Sequence, residues 1–185
     1  MIYLETERLI LRDYTMADKD AYFKLKSDKK TLYYMPTIQL NSFKDAEKHF
    51  EGLMKDMQLD NRKYYFLHME LKQTREQLGS IGYTVAEETP VGKMVNVGGF
   101  IYPRYWNMGY MTEAMERLLE FAFNENDVYR ITTSCLADNK GSEKVMQKSG
   151  MIKEAERKKC AWHDGELKDR VEYRLLKEEW NVEKR

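Results

Sequence analysis

The sequence predicts an α+β fold, in which a mixed, mostly antiparallel sheet of about seven strands carries helices on both faces. Three runs rich in β-branched and aromatic residues, at 64–71, 78–86 and 95–102, are separated by polar turns and predict an antiparallel meander. An amphipathic helix and another strand follow them, which is the order of a βαβ unit. Two further strands are joined by Asp164-Gly165, a dipeptide typical of tight hairpins.

The segment before the meander predicts one strand and two helices. The run LETERLILRDY at 4–14 predicts a single strand. Thr15 and Asp18 have the spacing of a capping box and open a short helix that ends near Ser27. A loop at 33–40 surrounds Pro36. Ser42 and Asp45 then open a second helix, whose apolar positions are Phe43, Ala46, Phe50, Leu53, Met54 and Met57.

The segment after the meander predicts two helices and three strands. The first helix has one apolar face, which comprises Met111, Ala114, Met115, Leu118, Leu119 and Ala122. A strand at 130–136 and a helix at 141–149 follow, and Gly150 occupies the position after the helix end that glycine favours. The last two strands are expected at 151–162 and 167–176.

Length and composition predict one globular domain over residues 1–185. Hydrophobic residues make up 42% of the chain and aromatic residues 12%, which is enough for a sizeable core. Lysine plus arginine and aspartate plus glutamate each number 31, so the net charge is zero. Without a global basic field, we do not expect a nucleic-acid partner.

The chain is expected to be a soluble cytoplasmic protein without a membrane partner. No signal peptide is apparent, and no apolar run approaches the length of roughly 18 residues that spans a bilayer. Cys135 and Cys160 lie in strand-like runs without CxxC spacing, so both thiols are expected to be buried and inert. His49, His68 and His163 are too scattered to predict a metal site.

A candidate anion site lies where the third strand of the meander leads into the helix. Gly109 stands at this junction, and the first turn of a helix has unpaired N–H groups that can bind a phosphate. Glycine also lets the backbone approach a ligand closely. The alternative is a plain strand–loop–helix junction.

Four motifs in order resemble the GNAT N-acetyltransferases, and in particular their RimJ/RimL branch. PRYWNMGYMTEA at 103–114 is similar to motif A of that branch, P-x-Y-W-G-x-G-Y-[AM]-T-E-A. ETERLILR at 5–12 is similar to its opening strand. The segment 136–151 is similar to N-x-x-S-x-x-[VL]-x-x-K-x-G-F, and 164–180 to its closing hairpin. This resemblance implies the GNAT fold and an N-acetyltransferase that uses acetyl-CoA.

The resemblance also implies a set of residues that bind the cosubstrate. Backbone amides of motif A would hold the pyrophosphate, and these belong to Met108, Gly109, Tyr110, Met111 and Thr112. Met111 replaces a more common glycine or alanine. The pantetheine arm would pair with the preceding strand at Ile101 and Tyr102.

Asn139 and Ser142 are the catalytic candidates that the resemblance implies. The asparagine would bind the pantetheine amides, and the serine hydroxyl would lie near the sulfur. The alternative is that Asn139 only caps the next helix. On that helix Lys140, Lys144 and Lys148 form a stripe, and Lys144 is a candidate for the 3′-phosphate. Such a stripe is also typical of a solvated face.

Gly98-Gly99 lies in the strand before motif A. Adjacent glycines in a strand often mark a bulge or the close approach of a ligand, and a bulge would free an amide for the thioester carbonyl. The alternative is a kink against a bulky neighbour.

The sequence does not identify the general base. The branch often has glutamate where this chain has Asn96, and an amide cannot accept a proton at neutral pH. Other candidates are Tyr33, Tyr34, Glu70, Glu87, Glu88 and His68. Tyr33 and Tyr34 are expected to line the acceptor site, where their rings favour an apolar, flat or cationic group.

Two functional hypotheses follow. The first is an enzyme that transfers acetyl directly from acetyl-CoA to a primary amine, either a protein N-terminus or a small molecule, without a metal. The second is an impaired GNAT-fold module that binds coenzyme A or a protein partner, a hypothesis motivated by Asn96 and Met111. Twelve methionines and the aromatic C-terminal hairpin also predict a homodimer.

Overall fold

The computed structural model describes residues 1–183, which form one eight-stranded sheet in the order β1-β2-β3-β4-β5-β6-β8-β7. The strands are β1 (Tyr3–Glu5), β2 (Leu9–Arg12), β3 (Tyr64–Leu71), β4 (Gln77–Thr89), β5 (Gly92–Ile101), β6 (Val128–Leu136), β7 (Ile152–His163) and β8 (Glu166–Leu176). The helices are α1 (Lys19–Ser27), α2 (Phe43–Asp56), α3 (Tyr110–Asn124), α4 (Lys140–Lys148) and α5 (Lys177–Glu183).

The predicted meander and the βαβ crossover are confirmed. β3, β4 and β5 are adjacent and antiparallel. β5 and β6 are parallel and are connected through α3, while every other pair in the sheet is antiparallel. The fold class is therefore the predicted α+β arrangement.

The prediction of one strand at 4–14 is wrong, and this is why the sheet has eight strands rather than about seven. The chain turns at Thr6, whose N–H donates to the Leu9 carbonyl over 3.0 Å. β1 then folds back along β2, with Tyr3 opposite Arg12. The turn residues are held by a contact with α3, far away in the sequence, so the local apolar pattern could not indicate the break.

The sequence also did not predict α5. This helix follows β8 directly, and its Trp180 is buried against Phe123 of α3, with ring centroids 5.9 Å apart.

The predicted start and stop signals are present. The carboxylate of Asp18 accepts from the N–H and the hydroxyl of Thr15. Ser42 Oγ accepts from the Asp45 N–H, and Gly150 adopts a φ of 75° at the end of α4. Asp164 and Gly165, with φ values of 50° and 82°, form the two-residue turn between β7 and β8.

The two faces of the sheet pack against different helices. On one face the apolar face of α3 packs on alternate strand residues in the main core; the buried members of this helix face include Ala114, Met115, Leu118, Leu119 and Ala122. The opposite face, which we call the acceptor face, carries α1 and α2 around a smaller cluster of Tyr14, Tyr22, Phe50 and Leu53. Within the described residues, no helix is both long and apolar enough to cross a membrane.

β5 and β6 separate part of the way along the sheet. Their pairing ends at Asn96 and Thr132, although β5 continues to Ile101 and β6 to Leu136. The region between 97–101 and 133–136 is called the strand gap below. Both α3 and α4 begin near it in the chain, because α3 follows β5 and α4 follows β6.

Candidate functional site

The strand gap is lined by backbone groups of β5. The N–H of Tyr102 donates to the Leu78 carbonyl of β4 over 2.9 Å. Each residue in a strand directs its N–H and C=O to the same edge, and successive residues alternate between the two edges. The backbone groups of Ile101, Gly99 and Val97 therefore face the gap. One of them is already engaged, since the Ile101 carbonyl accepts from Trp106 Nε1 over 2.9 Å.

Of the two residues predicted to pair with pantetheine, only Ile101 directs its backbone into the strand gap. Tyr102 donates its N–H to β4, and its carbonyl accepts from the Tyr105 N–H over 2.9 Å. An extended ligand in the gap would therefore find its partners at Ile101 and Gly99.

No bulge interrupts β5 at Gly98-Gly99, which corrects that prediction. Gly98 and Gly99 pair in continuous register with Gly82 and Ile81. A Cβ on Gly99 would lie 3.1 Å from Ile81 Cγ1 and 3.2 Å from Met111 Sδ, so close packing explains this glycine. A Cβ on Gly98 would meet nothing within 4 Å. Gly98 thus leaves open space on the acceptor face, next to the gap.

The motif A loop forms a row of backbone donors at the start of α3. Asn107 and Gly109 have φ values of 60° and 80°, and Gly109 is the N-cap of α3 without a side-chain cap. The N–H groups from 107 to 112 donate to no acceptor in the part of the chain that the structure describes. The predicted pyrophosphate residues Met108, Gly109, Tyr110, Met111 and Thr112 all belong to this row. Such a row is suited to an anion.

The side chain of Met111 does not project into this row. Its sulfur lies against Gly99 of β5, and the residue packs on the main core. The replacement of a smaller residue by Met111 therefore fills space between α3 and the sheet.

Arg8, which the sequence did not mark as a site residue, holds the motif A loop in place. Arg8 Nη1 donates to the Met108 carbonyl over 3.0 Å, and its guanidinium lies 4.4 Å from the Tyr110 ring centroid. Arg8 Nε pairs with Glu113 at 2.7 Å, and Glu113 also accepts from Thr6. Burial opposes ionisation of Glu113, but these hydrogen bonds outweigh it and hold its pKa below the usual value. Arg8 lies in the ETER run and Glu113 in the TEA run. Because these runs are far apart in the sequence, the pattern did not predict their contact.

Asn139 and Ser142 lie at the start of α4, beside the β6 edge of the gap. Asn139 Oδ1 accepts from the Ser142 N–H over 3.2 Å, so Asn139 does cap the helix. Burial raises the pKa of the neighbouring Cys135 thiol, and a hydrogen bond from Ser142 offsets only part of this effect. The capping bond leaves the Asn139 amide NH₂ group available for a ligand, whereas the Ser142 hydroxyl also contacts the Cys135 thiol.

The lysine stripe of α4 is exposed. Lys140 forms an ion pair with Glu143 at 2.9 Å. Lys144 and Lys148 are exposed and form no ion pair within residues 1–183. Lys144 therefore stays a candidate phosphate contact, and the geometry is equally that of a solvated face.

An aromatic bridge joins the 33–40 segment to the β7–β8 turn on the acceptor face. It consists of Tyr33, Tyr34, His163 and Asp164. His163 Nε2 donates to the Tyr33 carbonyl over 2.7 Å, and the Tyr33 hydroxyl donates to Asp164 over 2.7 Å. The His163 ring stacks on Tyr34, with centroids 5.8 Å apart. Tyr33 and Tyr34, the predicted acceptor residues, thus lie at the gap end of the sheet, and His163 lies with them.

Several general-base candidates are in unsuitable places. Glu70 and His68 are buried and contact each other, and Glu70 also pairs with Arg12 and Arg75. Its charge is therefore already used in the structure. The hydrogen bond to Asp164 raises the pKa of Tyr33, so its phenol is not a base at neutral pH.

Two further candidates, and Asn96 in place of the branch's glutamate, are also unsuited to accept the proton. Glu87 and Glu88 pair with Met94 and Lys93 near the start of β5, away from the gap. Asn96 accepts a hydrogen bond of 2.6 Å from the Thr132 hydroxyl at the last β5–β6 pair. Asn96 therefore marks the beginning of the gap rather than a proton acceptor.

The expectation that both cysteines are buried holds for Cys135 only. Cys160 is exposed, because it lies where the β7–β8 register shifts between Arg157 and Ala161. Among the residues described, no group of three or more histidine, cysteine or carboxylate side chains could hold a metal ion.

The chain is similar to known proteins in its sequence and in its fold. Residues 8–152 match the family model described as acetyltransferase (GNAT) domain. An uncharacterized N-acetyltransferase of Bacillus subtilis, YnaD, is 28% identical over 180 residues, which cover 97% of this chain and 100% of that protein.

Two solved structures share the fold at lower identity. The spermidine N-acetyltransferase of Vibrio cholerae, in complex with CoA and spermine, has a TM-score of 0.82 at 15% identity and covers 95% of this chain and 99% of that one. RimL, a ribosomal L7/L12 α-N-protein acetyltransferase in complex with coenzyme A, has a TM-score of 0.79 at 19% identity and covers 95% and 98%.

Proposed function

Because the matching family model spans most of its length, this chain belongs to the GNAT acetyltransferase family, and we propose that it transfers acetyl from acetyl-CoA directly to a primary amine. The finer proposal places it in the RimJ/RimL-like branch, as a single domain over residues 1–185. The motif A run at 103–114 and the structural likeness to RimL support that branch.

The observation that carries the proposal is the strand gap beside an uncapped helix start. Unpaired backbone groups of β5 fit an extended chain with amides, such as pantetheine. The free N–H groups from 107 to 112 fit a pyrophosphate. Both groups occur in coenzyme A. Its binding would therefore give hydrogen-bond partners to the backbone groups of β5 and to the N–H groups from 107 to 112. When bound, the thioester would supply an activated acyl group.

The residues of the chain would act on the leaving sulfur and on the pantetheine arm. The amine nitrogen attacks the thioester carbon, a C–N bond forms, the C–S bond breaks, and the amine loses a proton while the thiolate gains one. We assign Ser142 to the leaving sulfur and Asn139 to the pantetheine amides. Because Asn96 stands where the branch often has glutamate, the amine binds as its free base or loses its proton to water.

The amine acceptor is proposed only as a class that includes protein N-termini and small molecules. The aromatic bridge of Tyr33, Tyr34 and His163 lies at the gap end of the acceptor face and would form its wall. The named neighbours act on such different amines that likeness to them does not select one.

A test is an assay of thiol release from acetyl-CoA with a panel of protein N-terminal peptides, polyamines, amino sugars and amino acids. We expect acetylated product, detected by mass spectrometry, with at least one class. Coenzyme A binding without product from any class would instead support the impaired module.

A further inference from the structure

Lys26 is a half-buried cation at the acceptor face that has no acidic partner. Its ammonium lies 4.9 Å from the ring centroid of Phe100 on β5 and 5.8 Å from that of Tyr22. Burial and the nearby charge of Lys26 both lower the pKa of His49. No carboxylate pairs with Lys26 anywhere in the described chain, and burial lowers its pKa to about 8. A cation held this way gains stability from any anion that reaches it.

Arg170 of β8 is the second such cation. Its guanidinium donates to Ser134 Oγ of β6 over 3.0 Å. Every other arginine within residues 1–183 forms an ion pair with a carboxylate. The neighbouring Glu172, which lies opposite Ser134, is already paired with Arg157 at 2.7 Å. Arg170 is thus set apart by its lack of an anion.

These two cations lie on the same face of the sheet, on either side of the strand gap. Phe100 faces α1, because the residues on either side of it in β5, Gly99 and Ile101, pack toward α3. Ser134 shares the face of Thr132, whose hydroxyl bonds to Asn96. Lys26 therefore stands on the β5 side of the gap and Arg170 on the β6 side. The nearby carboxylate of Asp164 is engaged by the Tyr33 hydroxyl.

We propose that the acceptor is a primary amine that also carries an oxyanion, a carboxylate or a phosphate, and that Arg170 and Lys26 bind this group. This inference rests on the proposed transfer to an amine. An oxyanion on the acceptor would supply the partner that each cation lacks, and the fork of an arginine matches carboxylate and phosphate oxygens. A polyamine in the same place would add positive charge beside two unpaired cations and would be disfavoured.

The test compares amines that differ in one terminal group. β-Alanine, aminopropyl phosphate, neutral β-alaninamide and propanediamine share a chain length, and the set is repeated with longer chains. We expect kcat/KM for the better of the two acids to exceed that for the neutral amide and the diamine by at least about tenfold, as for a hydrogen bond between charged groups. The carboxylate and phosphate arms identify which oxyanion is used.

Two variants and two matched controls assign the effect to these residues. Lys26→Met and Arg170→Gln should each raise KM for the acid at least about tenfold, with a smaller change in kcat. They should leave the KM of the neutral amide and the Kd of coenzyme A unchanged. Lys24→Met, an exposed lysine of α1, and Arg75→Gln, an exposed arginine that is already paired with Glu70, should leave all of these values unchanged.

Preference for the diamine over both acids would overturn the inference while leaving the proposed transfer intact. So would an unchanged KM for the acid in both variants. Weaker coenzyme A binding by Arg170→Gln, with an unchanged KM for the acid, would move Arg170 to the cosubstrate and refute its role here. Failure to acetylate any amine, neutral ones included, would instead refute the proposed function.

Discussion

Gly109 is the residue on which the proposed phosphate site depends. Its φ of 80° is rarely adopted by other residues, and a Cβ there would lie 3.3 Å from Arg8 Nη2. We predict that Gly109→Glu abolishes stabilisation by acetyl-CoA, because the added carboxylate blocks the N–H row and repels phosphate. In the unchanged protein, ligand at about a hundredfold above Kd should add roughly 2.7 kcal/mol, measurable as a thermal shift.

The matched control for that variant is Gly165→Glu. Gly165 has nearly the same backbone conformation, with a φ of 82°, and no atom lies within 4 Å of its Cβ position. It lies in the β7–β8 turn, so the control carries the strain and the charge without the phosphate site. A full thermal shift in Gly109→Glu would contradict the assignment of this loop as the phosphate site.

The chemistry of transfer can be tested at Cys135. Burial raises the pKa of this thiol, which makes it a poor nucleophile at neutral pH. We predict that Cys135→Ala retains kcat within about threefold and that no acetyl group remains on denatured protein, as direct transfer requires. Ping-pong kinetics, or an acetyl group retained at this position, would establish an acetyl-enzyme instead.

Ser142 provides the complementary test at the same helix start. If its hydroxyl stabilises the departing sulfur, Ser142→Ala should lower kcat by about tenfold to a hundredfold and change KM less. The rate should rise with pH toward the pKa of the acceptor amine, because no carboxylate or histidine is assigned as base. An unchanged kcat would show that Ser142 does not act on the sulfur and serves only as a residue of the first turn of α4.

At the scale of elements, the junction of β2 with α1 depends on the ionised form of Asp18. Burial alone would raise the pKa of this carboxyl, but Arg12, at 2.8 and 2.9 Å, and the Thr15 hydrogen bonds lower it well below 3.8. The stability that it contributes is therefore complete above its unfolded pKa and is lost as the pH falls below that value. Asp18→Asn should cost about 2 kcal/mol at neutral pH.

Urea unfolding at a series of pH values measures this effect. The midpoint of the unchanged protein should fall between about pH 5 and pH 3, and Asp18→Asn should show a smaller fall. Asp20→Asn, which alters an exposed carboxylate of the same helix, should keep the full pH dependence. The same fall in both variants would show that Asp18 is not the titrating group.

At the scale of the whole molecule, the sheet runs through nearly all of the described chain. It joins β1 near the N-terminus to β8, and α5 returns to the main core through Trp180. This arrangement gives no natural place to divide the described chain, and a single domain stays a prediction. Calorimetry should therefore show a single transition whose van't Hoff and calorimetric enthalpies agree, and two separate transitions would contradict one domain.

The predicted homodimer would use the β7–β8 hairpin. Trp162 and Leu167 are cross-strand neighbours with exposed fractions of 72% and 51%. Light scattering at micromolar concentration should give twice the chain mass of 22.1 kDa. Trp162→Glu should reduce the mass to one chain, whereas Met16→Glu, an exposed apolar position elsewhere, should not. A single-chain mass for the unchanged protein would refute the dimer.

The sequence by itself determined most of the elements and the location of the motif A loop. Caps at Asp18 and Ser42, the Asp164-Gly165 turn and the apolar face of α3 are local signals, because each depends on residues within a few positions of one another. Motif A likewise places its donors within one continuous run, so its residues lie together whatever the rest of the fold does.

The tertiary structure decided what depends on contacts between distant segments. The Thr6 turn is held by Glu113, Gly99 is required by Met111 and Ile81, and His163 reaches Tyr33 through the β7–β8 turn. The unpaired state of Lys26 and Arg170 is likewise a property of their surroundings, since a sequence does not show which carboxylates fold beside a cation. The strand gap itself arises because β5 and β6 stop pairing after Asn96, and only their arrangement in space reveals it.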